Sequence, residues 1–481
     1  MNGIKKNFIF NIALTLLNSI FPVVVFSYTA RIMGPVYIGR AQFILSIAQY
    51  FCLFASLGIP FYGIREVARI KDNPQLLSKF TSEMLTISIA TSILMSLAFY
   101  VFILNVTFIS KDINAYWIAS LMVSLNFFAV DWFFSGIQDF KFITIRSLMV
   151  KLTCVVLVVL TVKEPNDFLW YVSVLVLATV GNNLLNIQAL KKKGHIKFQG
   201  LDIKRHFKPV LLIFGTSLAI SLYQVFDTIL LRLLSNDETV GYYVAAVKIN
   251  KLVLPFIISL GTVLIPAISG IIGKNDKTAL NKLISISFSF ISLVSIPIGV
   301  LFFLYAGEII ALFSGDQFTS AIIAAKIMSP LCFIIGLSNL YGLQILTSAK
   351  KDKEVLFSVI GGVIISICLN VILVPIYKQN GAAWANIGCE LFVTAVAFYY
   401  ARKFFSIGFN YKYLGTLILP CLFFVPIYIL VTSLFPHKDI VVLLAGVFIS
   451  ILLYFIVQLF LLKNEIALMI MNTVKNSVIK A

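Results

Sequence analysis

The sequence has few charged residues, few histidines and no paired cysteine motif. Only 12% of its 481 residues are charged, whereas 60% are hydrophobic and the mean hydropathy is +0.99. A soluble fold of this length could not hide so much apolar surface in its cores. The three histidines lack metal-ligand spacing, and the six cysteines lie within apolar runs without a C-x-x-C pair. We therefore expect no metal site, no other cofactor and no disulfide framework.

Acidic residues are also scarce, since 20 Asp and Glu face 38 Lys and Arg, which gives a net charge of +18. Such an excess can indicate nucleic-acid binding. The basic residues, however, lie mostly in short connectors between apolar runs, and no basic tail stands apart from them. This placement is typical of a protein embedded in a lipid bilayer, and it argues against a nucleic-acid partner. No P-loop motif is present, so we expect no nucleotide-driven step.

The apolar runs are about 20 residues long, the length that a helix needs to cross hydrocarbon. They predict an all-α polytopic membrane protein with about fourteen transmembrane helices. The first run follows Lys5 and Lys6 as in a signal peptide, but it is too long for one and is interpreted as an uncleaved span. The predicted spans are 8–30, 41–60, 81–104, 115–136, 148–163, 169–190, 209–234, 242–270, 283–305, 320–346, 355–375, 382–401, 413–434 and 440–462.

The distribution of Lys and Arg between alternate connectors predicts the orientation. The connectors that include both chain ends hold 28 of these residues, and the alternate connectors hold 6. Because basic connectors stay on the cytoplasmic side, both termini are predicted to be cytoplasmic and the number of spans to be even.

The two halves of the chain resemble each other on either side of the basic segment Lys191–Lys208. Arg31 and Arg232 each end the first span of their half, and Gly39 and Gly241 then lead into the second. Both copies start on the same side, so the repeat is parallel, with an axis near the membrane normal. The predicted divisions are a six-helix lobe at 1–190, a basic linker at 191–208, a second six-helix lobe at 209–401, and two extra helices with a tail at 402–481.

Polar residues inside spans 7 and 8 mark the first candidate site, because polar groups at membrane depth are costly unless they face a cavity or a partner. Tyr223, Gln224 and Asp227 share one face of span 7, and Lys248 and Lys251 share one face of span 8. An Asp227–Lys248 contact is predicted. It is either functional or a structural pair that holds two helices in register.

The internal repeat extends this site to span 2. Ser46 and Gln49 correspond to Lys248 and Lys251, and Gln42 completes a stripe with the first two. We therefore expect a neutral stripe from one half and a cationic stripe from the other to face a shared central space.

Four further residues have open interpretations. Arg31 and Arg232 are either interfacial anchors or cargo-binding charges. Lys326 either extends its ammonium towards the membrane surface or contributes charge to the cavity. Glu390, in mid-span, is a candidate site for a coupling proton or cation.

Three segments carry a family resemblance: Ala30–Gly39 (ARIMGPVYIG), Asp131–Phe140 (DWFFSGIQDF) and Asp227–Leu231 (DTILL) with the Val240–Ala246 sequence VGYYVAA. In this order and spacing they resemble the Wzx-type polysaccharide flippases of the multidrug/oligosaccharidyl-lipid/polysaccharide exporter superfamily. The resemblance runs from about residue 1 to 400, and helices arranged as twelve plus two are the family pattern.

The resemblance implies a transporter, not an enzyme, in the inner membrane of a bacterium. Its cargo would be an undecaprenyl-diphosphate-linked oligosaccharide such as an O-antigen repeat unit, moved to the periplasmic leaflet by alternating access. A polysaccharide polymerase and a chain-length regulator are implied as further partners. Around the diphosphate we expect the charged residues Lys248, Lys251, Arg31, Arg232 and Asp227, and around the sugars Gln42, Ser46, Gln49, Tyr223 and Gln224.

Three other classes of function compete with this prediction. An ion-coupled antiporter of small organic cations or drugs should have a net acidic cavity, whereas basic residues outnumber acidic ones inside these spans. A membrane polymerase or ligase needs a large extracytoplasmic loop, and the longest such connector predicted is 306–319. The third class is a purely structural membrane protein.

Overall fold

The computed structural model describes residues 2–106, 112–193, 196, 200–274, 276–405, 411–435, 439–468 and 471. Every regular element in these ranges is helical. The chain forms two compact units, Met1–Gly241 and Tyr242–Ala481. The first contains α1 (Asn2–Ser56), α2 (Ile59–Ile70), α3 (Pro74–Asn105), α4 (Ile113–Ser124), α5 (Asp131–Gly136), α6 (Phe140–Thr161), α7 (Phe168–Lys193) and α8 (Lys204–Leu234).

Helix α9 (Asp237–Lys251) contains the boundary between the units. The second unit continues with α10 (Leu254–Lys274), α11 (Lys277–Leu304), α12 (Ala306–Ser314), α13 (Ala321–Ile327), α14 (Leu331–Asn339), α15 (Asp352–Phe404), α16 (Tyr411–Ile418), α17 (Phe424–Leu434) and α18 (Asp439–Ile456). Two π-helical segments, Leu340–Thr347 and Val457–Leu461, extend α14 and α18.

The two longest helices are each broken near the middle. In α1 the break is Gly34, whose φ of 70° suits glycine and which precedes Pro35. In α15 the break is Lys378, with a φ of 50°. Both breaks fall in predicted connectors, 31–40 and 376–381, because a polar or turn-forming segment interrupts the apolar run there.

Among the described residues, nine helices are long and apolar enough to cross a membrane, and counting the bent pair Ala321–Ile327 and Leu331–Thr347 as one span makes ten. Two of the nine, of 44 and 52 residues, are about twice the length that one crossing needs and contain the breaks at Gly34 and Lys378. The all-helical, multi-span architecture is therefore confirmed. The count of fourteen and the cytoplasmic position of both termini stay predictions.

Reporter fusions test this topology directly. A reporter placed after Phe198, in the basic segment, is expected to report the cytoplasm, and one after Asp237 the opposite side, because of the unequal Lys and Arg distribution. An extracytoplasmic signal at Phe198, or the same side at both positions, would contradict the predicted orientation.

In the first unit, small residues let α2 and α5 pack closely. A Cβ at Gly63 of α2 would lie 2.6 Å from the Trp132 ring, and one at Gly136 of α5 would lie 2.5 Å from the Val67 side chain. Trp132 and Phe134 are buried in the apolar cluster that fills this region. The DWFF segment is thus held inside the unit, and Asp131 is placed at the first turn of α5.

A buried carboxylate joins α3 to the chain that enters α8. The Glu83 carboxylate is fully buried and accepts hydrogen bonds from the backbone N–H of Asp202 at 2.8 Å and from Arg205 Nη2 at 2.6 Å. His206 Nε2 lies 2.8 Å from the same carboxylate, and His206 Nδ1 lies 2.9 Å from Tyr62 Oη. We call these groups the Glu83 anchor. They explain why α8 packs with the first unit, although the sequence placed span 7 in the second lobe.

In the second unit, the core lies among α10, α11, the π-helical segment after α14, and α15. Gln344 is buried in this segment, accepts a hydrogen bond from Ser287 at 2.7 Å and donates one to Asn339 at 3.1 Å. A Cβ at Gly261 would collide with the Gln344 amide, so a larger residue there would force the Gln344 side chain to move.

Candidate substrate-facing site

The polar stripe predicted on span 2 lies on α1, after the break at Gly34. Its three residues differ in exposure, since Gln42 is half-buried, Ser46 fully buried and Gln49 exposed. Gln49 lines a cavity of about 260 Å³ together with Tyr50, Cys52, Leu53, Ser56 and Ser221. Within this stripe, Gln49 therefore faces open space, whereas Ser46 is enclosed by the residues that pack around it.

Helix α8 forms the opposite wall of this cavity. Tyr50 Oη donates a hydrogen bond to the Ser221 carbonyl at 3.3 Å, and the Tyr50 and Phe226 rings meet edge to face at 6.3 Å. Asp227, the next residue of α8, is 3% exposed. The side chains of Tyr223 and Gln224 lie outside the described residues, so their predicted role in sugar binding stays a prediction.

Lys248 and Lys251 lie near the end of α9 and are half-buried. Asp227 belongs to the first unit and these lysines to the second. The predicted Asp227–Lys248 contact and the cationic role of both lysines remain predictions.

Four charged residues form a cluster at the turn between α8 and α9. Arg40 of α1 places Nη1 3.4 Å from Asp112 Oδ1 and Nε 3.6 Å from Asp237 Oδ2, and Arg232 Nε also bonds Asp237. Burial raises the pKa of Asp112, an effect that Arg40 opposes and Asp237 reinforces. We call Arg40, Asp112, Arg232 and Asp237 the Arg40 cluster. This cluster gives Arg232 a carboxylate partner. The other predicted cargo-binding arginine, Arg31, lies on α1 and is exposed.

The repeat-related glycines meet beside the Arg40 cluster. A Cβ on Gly39 would collide with the Asp237 carbonyl and lie 2.7 Å from the Gly241 nitrogen. A Cβ on Gly241 would collide with the Pro35 carbonyl. The backbones of α1 and α9 therefore touch at these two positions, which only glycine allows.

The remaining predicted residues lie in the second unit. The Lys326 ammonium is 5.6 Å from the centre of the Phe303 ring, and its side chain is half-buried. Glu390 is 2% exposed within α15. Its predicted role with a coupling ion is not tested by this geometry.

The sequence pattern does not reveal that two cations, Arg146 and Lys151, are buried. Arg146 falls between the predicted spans 115–136 and 148–163, and Lys151 lies near the start of the latter, where both were counted with the connector charges. The structure starts α6 at Phe140 and places both side chains inside the first unit, 3% and 8% exposed. Arg146 Nη1 bonds Asp131 Oδ1 at 2.7 Å and Asn186 Oδ1, and Arg146 Nε bonds Asn182 at 3.1 Å. Three polar side chains thus meet on one guanidinium, and the DWFF aspartate is one of them.

Comparisons with known proteins match this architecture. The family described as "Polysaccharide biosynthesis protein" matches residues 4–272, and the MatE family matches residues 213–372. A protein of Escherichia coli (strain K12) named as an O-antigen transporter is 24% identical over 83% of this chain and 97% of its own length. A protein of Haloferax volcanii named as a flippase of low-salt glycan biosynthesis is 25% identical over 48% of this chain and 49% of its own.

Solved structures share the fold at lower identity. The lipid II flippase MurJ, in an inward closed conformation, superposes with a TM-score of 0.76 at 16% identity, covering 95% of this chain and 100% of that one. An inward-facing multidrug resistance MATE family transporter of the MOP superfamily superposes with a TM-score of 0.64 at 12% identity, covering 82% of this chain and 97% of that one.

The chain belongs to the polysaccharide biosynthesis protein family, whose match covers more than half of its length. The resemblance to polysaccharide flippases of the MOP superfamily, drawn from the sequence motifs, is confirmed. The chain is therefore a multi-pass membrane transporter and not an enzyme.

Proposed function

We propose that this protein moves an undecaprenyl-diphosphate-linked oligosaccharide from the cytoplasmic to the periplasmic leaflet of a bacterial inner membrane. An O-antigen repeat unit or a similar surface polysaccharide unit is the cargo. The headgroup crosses by alternating access while the prenyl chain stays in lipid. A polysaccharide polymerase and a chain-length regulator then receive the exported unit.

The observation that carries this proposal is that the polar groups lining the cavity in the first unit are neutral. Gln49, Tyr50 and Ser56 supply amide and hydroxyl groups, which hydrogen-bond to sugars without fixing a charge. No carboxylate lines this cavity among the described residues. A carrier of organic cations would need acidic groups at such a place, so this lining favours a glycan headgroup.

The charge for the diphosphate comes from basic residues. Lys248 and Lys251 are half-buried on α9, at positions equivalent to Ser46 and Gln49 in the internal repeat. A diphosphate that leaves water needs countercharge, because a desolvated anion costs several kcal/mol. The names of the relatives, an O-antigen transporter and a glycan flippase, support the same cargo class.

The cargo is tested in cells and in vesicles. Deletion of the gene is expected to leave a lipid-linked glycan in the cytoplasmic leaflet, and the purified protein in liposomes is expected to expose that lipid on the far leaflet. A deletion that changes only resistance to cationic dyes, with no stranded glycolipid, would replace this proposal by a drug antiporter.

Exchanging Gln49 and Lys251 tests whether the position of charge matters. The double variant Gln49→Lys and Lys251→Gln keeps the total charge but moves it from α9 to α1. Because Gln49 already faces the cavity, the variant is expected to fold, and Ser46 is left unchanged because it is enclosed. We expect export to be lost at normal protein abundance, measured as surface polysaccharide in a deletion strain.

Gln49→Ala alone is the control for this exchange. It removes hydrogen bonds but no charge, so we expect modestly weaker export that depends on the glycan supplied. Normal export by the exchanged protein would mean that net charge, and not its position, is recognised.

A further inference from the structure

Helix α6 contains a buried lysine whose charge no carboxylate among the described residues offsets. Lys151 lies midway along α6, about 17 Å from its first residue at 1.5 Å per residue. Its ammonium donates a hydrogen bond to Asn18 Oδ1 at 2.5 Å and lies 5.4 Å from the centre of the Phe21 ring. One neutral amide and one aromatic face are thus the contacts that the described part of the first unit gives this cation.

Arg146, on the same helix, shows what a structural buried cation looks like in this protein. It has a carboxylate from Asp131 and amides from Asn182 and Asn186, so both its charge and its N–H groups are matched. A charge at membrane depth costs roughly 2.5–3.5 kcal/mol on insertion scales. Lys151 lacks a comparable set of partners. A purely structural role, in which Lys151 holds α1 against α6, therefore explains this lysine poorly, because an apolar residue would hold the two helices together better.

The partner of Lys151 lies on a polar, exposed face of α1. Before the break at Gly34, α1 is exposed on two sides. One side carries the apolar Ala13, Ile20 and Val24, as expected for contact with lipid. The other carries Thr15, Asn18 and Pro22. Amide and hydroxyl groups exposed at this depth are expected to face a water-filled space and not hydrocarbon.

We propose that Lys151 and Asn18 form an anion site that binds a phosphate group of the lipid-linked cargo. When a phosphate enters along the polar face of α1, the Lys151 ammonium turns from Asn18 Oδ1 to a phosphate oxygen. Asn18 Nδ2 donates a second hydrogen bond to the same group. The bond to phosphate is charge-assisted and therefore stronger than the amide contact that it replaces. This inference rests on the proposed function, and it places part of the diphosphate recognition in the first unit.

The test uses the full-length protein in nanodiscs of zwitterionic lipid, with geranylgeranyl diphosphate as the probe. We expect Lys151→Met to bind this probe about tenfold more weakly, because the substitution removes one charge-assisted hydrogen bond. Without probe, we expect its Tm to equal or exceed that of the wild type, because an uncompensated buried charge has been removed. Lys151→Arg keeps the charge and is expected to retain most of the affinity.

Lys141→Met is the matched control, since Lys141 lies at the start of the same helix with its side chain exposed. It makes the same change in net charge and should bind the probe like the wild type. Inorganic diphosphate and nanodiscs that contain phosphatidylglycerol distinguish the sources of phosphate. Weaker binding of inorganic diphosphate by Lys151→Met supports the site, whereas displacement of the probe by phosphatidylglycerol would assign it to bulk lipid and overturn the cargo role.

Two results separate this inference from the proposed function. In the first, the wild type binds the prenyl diphosphate and Lys151→Met binds it equally well, or binds it less only because its Tm falls. The proposed Lys151 site is then wrong, and the proposed cargo is unaffected. If the wild type binds no prenyl diphosphate, both are overturned.

Discussion

Replacing Glu83 by alanine is expected to destabilise the protein by roughly 3 kcal/mol, since removing one partner of a buried charged network leaves the others unmatched. The Glu83 carboxylate is the common acceptor for the Asp202 N–H, Arg205 and His206. Arg205 can turn to water, but His206 and the Asp202 N–H would be left against an apolar cavity. The measurement is thermal unfolding of the detergent-solubilised protein, together with its abundance in the membrane.

Glu66→Ala provides the control. Glu66, on α2, meets Arg65 and Arg69 at 3.5 and 3.6 Å, and both arginines are largely exposed. Pairs of this kind contribute only about 0–1 kcal/mol. Glu83→Gln, which keeps an acceptor oxygen, should fall between the two alanine variants. Equal stability of Glu83→Ala and Glu66→Ala would show that the Glu83 anchor does not hold α8 to the first unit.

Hydropathy and turn chemistry were sufficient to predict the helical architecture. The break at Gly34 lies beside Pro35, and the break at Lys378 lies in a short polar connector, so both breaks can be predicted from the local sequence. The polar stripe on α1 was also readable, because Gln42, Ser46 and Gln49 follow a helical period. The local sequence does not predict that Gln49 is exposed and Ser46 enclosed, because this difference depends on which helices pack against α1.

The buried polar networks could not be predicted, because their members are distant in sequence. Glu83 stands beside a basic connector, where it resembles an ordinary surface charge, and its partners lie at 202–206. Arg146 falls in a predicted connector and Lys151 near the start of a predicted span, because composition alone does not distinguish a basic residue near a helix end from one inside the helix. Their partners Asp131 and Asn18 come from other helices. The Glu83 anchor, which joins the chain entering α8 to the first unit, also depends on residues distant in sequence, and the predicted division at 191–208 stays a prediction.

Alanine at Gly39 or Gly241 is expected to reduce transport about tenfold or more. The internal repeat singled out these glycines, and the structure gives the reason, because a Cβ at either would collide with a backbone carbonyl, that of Asp237 or that of Pro35. Backbone atoms cannot rotate away as a side chain can, so α1 and α9 would have to separate. Overpacking of this kind costs about 1–3 kcal/mol, and this corresponds to about 5–150-fold in the population of the closely packed arrangement.

The measurement combines export in a deletion strain with maleimide labelling of Ser235→Cys in a background without the native cysteines. Ser235 lies between α8 and α9, so separation of α9 from α1 should speed its labelling in both glycine variants. Gly215→Ala on α8 is the control, since a Cβ there would meet no atom within 4 Å. Loss of the contact also weakens the Arg40 cluster, because Arg40 reaches Asp237 across the same backbone approach. Transport and labelling like those of Gly215→Ala would mean that the cycle does not pass through this close contact, and that the glycines serve only helix packing during folding.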